Sequence, residues 1–166
     1  GLLATIDTTF TGGVEVAGAD RLVVLNKSSI AQPLPFSYRD RILQIPGVKG
    51  VTFAVWFGGV YQNEKNFIPI MAVDTDGFKK MYTEFAVPEE QWDAFVRDRE
   101  GCIVGRSTAN KYGWKIGDRV PIKGTIYPGA WEFNVRGIYD GTRAEDDTTQ
   151  FWFQYSYLDE RKQYFK

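Results

Sequence analysis

A chain of 166 residues, 43% apolar and 25% charged, has the size and composition of a single folded domain, too apolar for a disordered tail and too charged for a membrane span. Its 20 basic and 21 acidic residues leave a formal net charge of -1, so no global field draws a phosphate backbone or an anionic bilayer, and no nucleic-acid partner is expected. The lack of histidine, with a single cysteine, removes Ser-His-Asp and Cys-His catalysis and leaves no ligand set for zinc, haem or iron–sulfur.

The chain opens on Gly1-Leu2-Leu3 without an initiator methionine, which marks a processed protein or a fragment whose flanks hold its cellular address. Residues 1–17 carry no sustained periodicity and read as a lead-in segment. Arg21–Asn26 is apolar and β-branched at its centre, which predicts a strand buried on both faces. After a loop from Lys27 to Pro35, Ser37 caps a helix with Asp40 in its first turn, and Tyr38, Ile42 and Ile45 form its apolar stripe up to Pro46-Gly47. Val51, Phe53, Val55 and Phe57 then alternate with Thr52, Ala54 and Trp56, a strand ending at Gly58-Gly59. Strand, helix and strand in this order suggest a βαβ unit.

Phe67 to Val73 is apolar at nearly every position and reads as one strand buried on both sides, with Pro69 demanding an edge or a bulge. Asp74-Thr75-Asp76-Gly77 is a turn. Pro88 suits a helix N1 position, Glu89 and Glu90 its first turn, and Trp92, Phe95 and Val96 its buried stripe, with an end by Gly101. Next come a strand through Cys102-Ile103-Val104, a helix from Ser107 to Tyr112 closed by Gly113, and the turn Gly117-Asp118 leading into a strand from Arg119 to Ile122. Trp131, Phe133 and Val135 alternate with Glu132, Asn134 and Arg136, a strand with one wet face that continues to Tyr139. Beyond a polar loop from Asp140 to Thr149, a last strand places Phe151, Phe153, Tyr155 and Tyr157 on one face and Trp152, Gln154, Ser156 and Leu158 on the other. A charged helical tail begins near Asp159.

Little of this chain carries reactive chemistry. Cys102 sits in an apolar run and reads as a small buried hydrophobe, because no histidine exists to serve as its base. Thr11-Gly12-Gly13 and Gly58-Gly59 match neither the dinucleotide fingerprint nor the P-loop. Carboxylates remain as candidate acid-base pairs or hard-cation ligands, chiefly Asp74 with Asp76, Glu89 with Glu90, and Glu145-Asp146-Asp147. The first opens like a calcium loop, but Phe78-Lys79-Lys80-Met81 stands where a further acid is needed; the second complements a helix dipole; the third reads as a solvated turn. No catalytic, cofactor-binding or metal-binding residue is therefore assigned. Trp92 and Trp131 lie on apolar stripes, whereas Trp56 and Trp152 fall opposite aromatic faces and are candidates for exposure, which keeps a free-standing carbohydrate- or ligand-binding module open as the alternative reading. A carboxylate-dependent hydrolase, which would need two facing acids in a pocket, is a third. Trp56, Arg143, Glu145, Asp146, Asp147 and Trp152 are the expected partner-contact residues.

The run from Cys102 to Val120, a strand, a small-residue helix containing Ala109, then Gly113-Trp114-Lys115-Ile116-Gly117-Asp118 and a further strand, resembles the MacB-like periplasmic core domain of ABC transporter permeases. Ile45-Pro46-Gly47-Val48-Lys49-Gly50-Val51 upstream and Phe133-Asn134-Val135-Arg136-Gly137-Ile138-Tyr139 downstream match the same pattern in order, so the resemblance covers roughly 18–158. It implies an α+β fold that is bilobed: a porter-like α/β lobe from 18–75 and 133–166, with 76–132 as an inserted smaller mixed β/α lobe. It also implies a non-catalytic domain on the periplasmic or extracellular face of a bacterial inner membrane. There it would couple ATP-driven helix motion to a periplasmic protein or lipophilic cargo, served by an ATPase subunit and dimerised through a partner permease. The end soon after Tyr157-Leu158, short of the pattern's last helix and strand, leads us to expect an exposed sheet edge.

Overall fold

The β-branched and aromatic runs of this chain zip into one mixed sheet. A computed structural model describes residues 13–18, 21–26, 50–81 and 85–162. In chain order the strands and helices are β1 (Gly13–Gly18), β2 (Arg21–Asn26), β3 (Gly50–Trp56), β4 (Gly59–Val60), β5 (Phe67–Ile68), β6 (Ile70–Val73), α1 (Thr75–Met81), β7 (Phe85–Ala86), α2 (Glu89–Arg97), β8 (Gly101–Gly105), α3 (Arg106–Tyr112), β9 (Arg119–Gly124), β10 (Ala130–Gly141), β11 (Phe151–Gln154) and α4 (Tyr155–Lys162). The strand order is β1-β2-β3-β6-β11-β8-β10-β9-β4-β5, with β7 paired to β10. Helices joined to a sheet of both parallel and antiparallel pairs make this the expected α+β class.

The sheet curls. β4 and β5 stand at one end of the strand order, yet β4 follows β3 after two residues and β5 precedes β6 by one, Pro69. β3–β4 and β5–β6 therefore form a single long, bent hairpin, clamped at the bend where the amides of Phe57 and Gly58 both donate to the Ile70 carbonyl at 2.9 and 3.1 Å. The strands from β6 through β9 to β5 wrap around an aromatic interior. Phe57 lies within it, stacked on Tyr127 at 5.8 Å and edge-on to Trp131 and Phe153, each at 5.1 Å. Trp114 and Ala109 from around α3, and Tyr155, Tyr157 and Leu158 from α4, complete this core. On the outer face, α1 and α2 bury a second cluster, in which Phe78 and Phe95 pack with Ile103, Tyr139 and Trp152. Both faces of β11 are thus covered, which accounts for its unbroken buried pattern.

Most of the sequence expectations fall on matching elements. β2, α2, β8 and β10 lie where periodicity puts them, and α3 ends on Gly113 at φ 70°, ψ 28°, the left-handed cap conformation that suits glycine. β2 and β3 pair in parallel, as a βαβ unit requires, since parallel neighbours need a long crossover. The helix expected over Ser37–Ile45 lies outside the described residues.

Five expectations are corrected. Part of the lead-in segment is β1, which folds back antiparallel on β2; its alternation of Val14 and Val16 with Glu15 and Ala17, set between glycines, is too short to give a sustained strand period. The single strand over Phe67–Val73 is two strands broken at Pro69, because the chain crosses there from one end of the strand order to the middle. The turn expected at Asp74–Gly77 is in large part the start of helix α1, which begins at Thr75 and is kinked at Asp76 and Gly77. Val96 is 43% exposed, so the stripe of α2 rests on Trp92 and Phe95 alone. The last strand stops at Gln154, and Tyr155–Leu158 are helical. There the Gln154 amide group donates to the carbonyls of Phe95, Val96 and Asp98 at the end of α2, and Ser156 donates its hydroxyl back to Gln154 at 3.1 Å.

Candidate functional site

Four of the expected contact residues stand on the loop between β10 and β11, and this loop is built rather than loose. Asp146 is its keystone: its carboxylate accepts from the Arg143 amide at 2.8 Å, the Arg143 guanidinium at 3.0 Å and the Thr142 hydroxyl at 3.2 Å. Burial raises its pKa, but the hydrogen bonds from Arg143 and Thr142 outweigh that and hold the carboxyl below the ordinary range. Asp147 behaves alike, with burial opposed by the hydroxyl and amide of Thr149. The expected solvated turn is thus a self-capped one, in which both aspartates serve the backbone. Arg143 and Glu145 are the exposed pair, 3.4 Å apart, with side chains 64% and 68% accessible.

The second half of the loop is fastened to the start of α3. Ser107 donates its hydroxyl to the Thr148 carbonyl at 2.6 Å, Thr108 to the Thr149 carbonyl at 2.8 Å, and the Gly105 amide reaches the Gln150 carbonyl at 2.9 Å. Only glycine fits at 105, because a Cβ there would lie 2.0 Å from the Thr148 carbonyl oxygen. From below, the buried hydroxyl of Tyr139 donates to the Asp147 carbonyl at 2.9 Å and accepts from the Gln150 amide at 3.1 Å. Burial pushes that phenol well above its usual pKa, so it stays a neutral donor. Arg106 closes the base of the loop with two bonds to Asp140, at 2.9 and 3.1 Å, and this pairing holds the Asp140 carboxyl below its ordinary pKa.

The two tryptophans part company. Trp56 is half-buried and lies 6.0 Å from the Phe67 ring. Trp152 is only 2% exposed, stacked on Tyr139 at 4.4 Å and edge-on to Phe78. Its expected exposure is corrected: β11 runs through the middle of the sheet, and α1 covers that face. A stacking surface made of Trp56 and Trp152 together does not exist.

The reactive groups are equally constrained. Cys102 is fully buried, and burial together with the nearby Asp98 charge raises its thiol pKa well above the ordinary value. Asp76 donates its amide to the Asp74 carboxylate at 3.1 Å, an Asx turn opening α1. Glu89 and Glu90 sit exposed in the first turn of α2. Among the described residues no group of three or more acids and cysteines converges as a metal ligand set. What sequence reasoning missed is the ionic ladder on the wet face of β9 and β10. There Arg119 reaches Glu100, Glu132 and Asn134 at 2.8, 3.3 and 2.9 Å, and Arg136 with Asn134 holds Asp98. The alternation of β10 exposes these residue types, but the partners become visible only through the β9–β10 register, Asn134 opposite Arg119.

Over residues 1–165 the sequence matches the MacB-like periplasmic core domain family. The chain belongs to this family. As a MacB-like domain it is the periplasmic core of an ABC-type transporter permease, on the periplasmic or extracellular side of a membrane. No curated protein matches the sequence. Among solved structures, the extracellular domain of the noncanonic ABC-type transporter YknZ from Gram-positive bacteria shares the fold at 13% identity and a TM-score of 0.52, covering 82% of this chain and 73% of that one. A domain described as part of a permease protein from Porphyromonas gingivalis aligns at 15% identity and a TM-score of 0.47, covering 69% of this chain and 54% of that one. The MacB-like domain thus spans about half the length of that Porphyromonas chain. Among the described residues no helix is long and apolar enough to cross a membrane.

Proposed function

We propose that this MacB-like domain is a non-catalytic lever: ATP-driven movement of the permease helices, powered by an ATPase subunit, tilts it as a body against a periplasmic protein or lipophilic cargo. The observation that carries the reading is the double core. Apolar clusters cover both faces of the sheet at its centre, from β3 through β6, β11 and β8 to β10, and such packing resists gradual deformation, so these strands move as a body.

In this reading the division expected from the resemblance is retained, with 18–75 and 133–166 as the porter-like lobe and 76–132 as the inserted lobe. β8 of the insertion is hydrogen-bonded between β11 and β10, so the lobes share a sheet and move together. The contact surface is the fastened loop, presenting Arg143 and Glu145 on a base set by Asp146 and Asp147, with Trp56 as an apolar contact elsewhere. Trp152 acts from within, as the packing beneath β11. In the assembled transporter the domain pairs with its counterpart on the partner permease.

Spin labels test the lever directly. Cys102, the one cysteine of this domain sequence, is buried, so in a transporter whose cysteines outside the domain are replaced, a label placed by Glu145→Cys reports on the loop. In the reconstituted full-length transporter the label-to-label distance between paired domains is expected to change between nucleotide-free and ATP-bound states. A distance distribution indifferent to nucleotide would end the proposal.

A further inference from the structure

The outer face of the curled sheet carries a groove beyond the reach of the α1–α2 layer. Residues paired across neighbouring strands point to the same face. The registers Val60 with Phe67, Val60 with Lys123 and Lys123 with Ala130 therefore set four residues in one row. Val120 and Ile122 alternate with Lys123 and lie in the aromatic core, so the row faces outward. Phe67, 50% exposed and packed against Trp56, ends it.

Beside this row lies a groove of about 430 Å³, lined by Val60, Gln62, Pro121, Lys123, Gly129 and Ala130. Its volume falls within the roughly 300–1,000 Å³ range of small-molecule sites, and its make-up follows theirs, an apolar wall with a few placed polar groups. Lys123 supplies the charge. It is exposed, and among the described residues it has no carboxylate partner, a state it shares with Lys65, Lys111 and Lys115; of these it alone stands in this groove. Gln62 holds a left-handed backbone at φ 67°, unfavourable for a residue with a side chain, and is kept there by reciprocal bonds between Tyr61 and Asn66, each 3.0 Å.

We infer that this groove binds a single apolar chain ending in an anionic group, with the chain along Val60, Pro121 and Ala130 and the anion on Lys123. An apolar wall alone would not select charge, and an exposed lysine alone would not select a chain; the register places both in one groove. The inference draws on the lever reading only for placing the domain beside a membrane. The groove can bind while the domain fails to tilt, and the domain can tilt with the groove empty, so the two fail separately.

The test is a titration of the chain with sodium dodecanoate below its micelle concentration, followed by amide NMR shifts, with dodecanol as the uncharged probe. Shifts are expected in β4, β9 and the start of β10, with dodecanoate about threefold tighter than dodecanol, as one exposed ion contact provides. Lys123→Met abolishes that preference, and Ala130→Trp, which fills the groove from an exposed strand position, weakens both probes about tenfold. Lys123 is exposed, so Lys123→Met leaves the fold intact whatever the fate of Ala130→Trp. Vesicles of phosphatidylglycerol separate the sources: retention of the native chain and loss of Lys123→Met points to a bilayer lipid, and dodecanoate binding without retention points to a free amphiphile. Absence of shifts at the groove, or dodecanoate binding unchanged in both variants, overturns the inference.

Discussion

Gly105 shows how much of this molecule is decided by single atoms. The last residue of β8 is crossed by the loop that carries Arg143 and Glu145, and the Thr148 carbonyl occupies the space of a side chain. Gly105→Ala is therefore expected to cost about 1–3 kcal/mol, in the range of overpacked sites, and to free the loop. Lower melting temperature with faster amide exchange over 142–150 checks it; a melting curve identical to the native one would contradict the fit described. The acids give a second prediction. Asp98 is pulled up by burial, but its bonds from Arg136, Asn134 and the Glu100 amide prevail and its pKa is lowered, as are those of Asp140 and Asp147. A carboxyl with a folded pKa below its unfolded value near 3.9 contributes stability above that value, and loses it as pH falls through the folded pKa. Stability should be flat from about pH 7 to pH 5 and fall below about pH 4. Asp98→Asn should soften the acid limb, measurable by denaturant melts across pH.

At the scale of elements, the junction of β11 and α4 is the clearest case of tertiary control. The sequence continues to alternate through Tyr155 and Tyr157, yet the chain turns helical at residue 155 because Gln154, only 9% exposed, caps the carbonyls at the end of α2. Gln154→Ala removes one donor from each of these carbonyls; Phe95 and Asp98 keep the bonds from the Asp98 and Gly101 amides and Val96 loses its donor, a cost of about 0.5–1.5 kcal/mol. It should show as fraying of α2, read from exchange at Phe95 to Asp98, together with lost stability. α4 itself is held from its far end: Arg161 lies 4.0 Å over the Trp131 ring and donates to the Ala130 carbonyl at 3.1 Å, while Glu160 pairs with Arg99. α2, β10 and α4 are thereby tied to one another by side chains far apart in sequence.

For the whole molecule, the consequence is cooperativity. β8, from the stretch proposed as an inserted lobe, is hydrogen-bonded on both sides to strands of the other, so neither can melt and leave the sheet of its partner intact. Scanning calorimetry is expected to show one transition with equal calorimetric and van't Hoff enthalpies. Two resolved transitions would mean that the lobes are independent bodies, and the lever would have a hinge where a rigid joint is proposed.

The sequence by itself determined which segments pair or coil wherever local signals agree: the apolar run of β2, the wet-and-dry alternation of β10, the acidic start of α2 and the glycine stop of α3. It also carried the family, through motifs in β8, α3 and β10 whose spacing a linear reading preserves. Tertiary structure alone decided the rest. Trp56 and Trp152 occupy equivalent positions in strand patterns, and only the strand order makes one half-exposed and the other core. Asp146 reads as a solvated acid until the loop folds back and supplies its donors. The groove beside Lys123 exists because β4, β9 and β10, separated along the chain, lie side by side. Periodicity is a property of neighbours in sequence, whereas burial, pairing and cavities depend on neighbours in space.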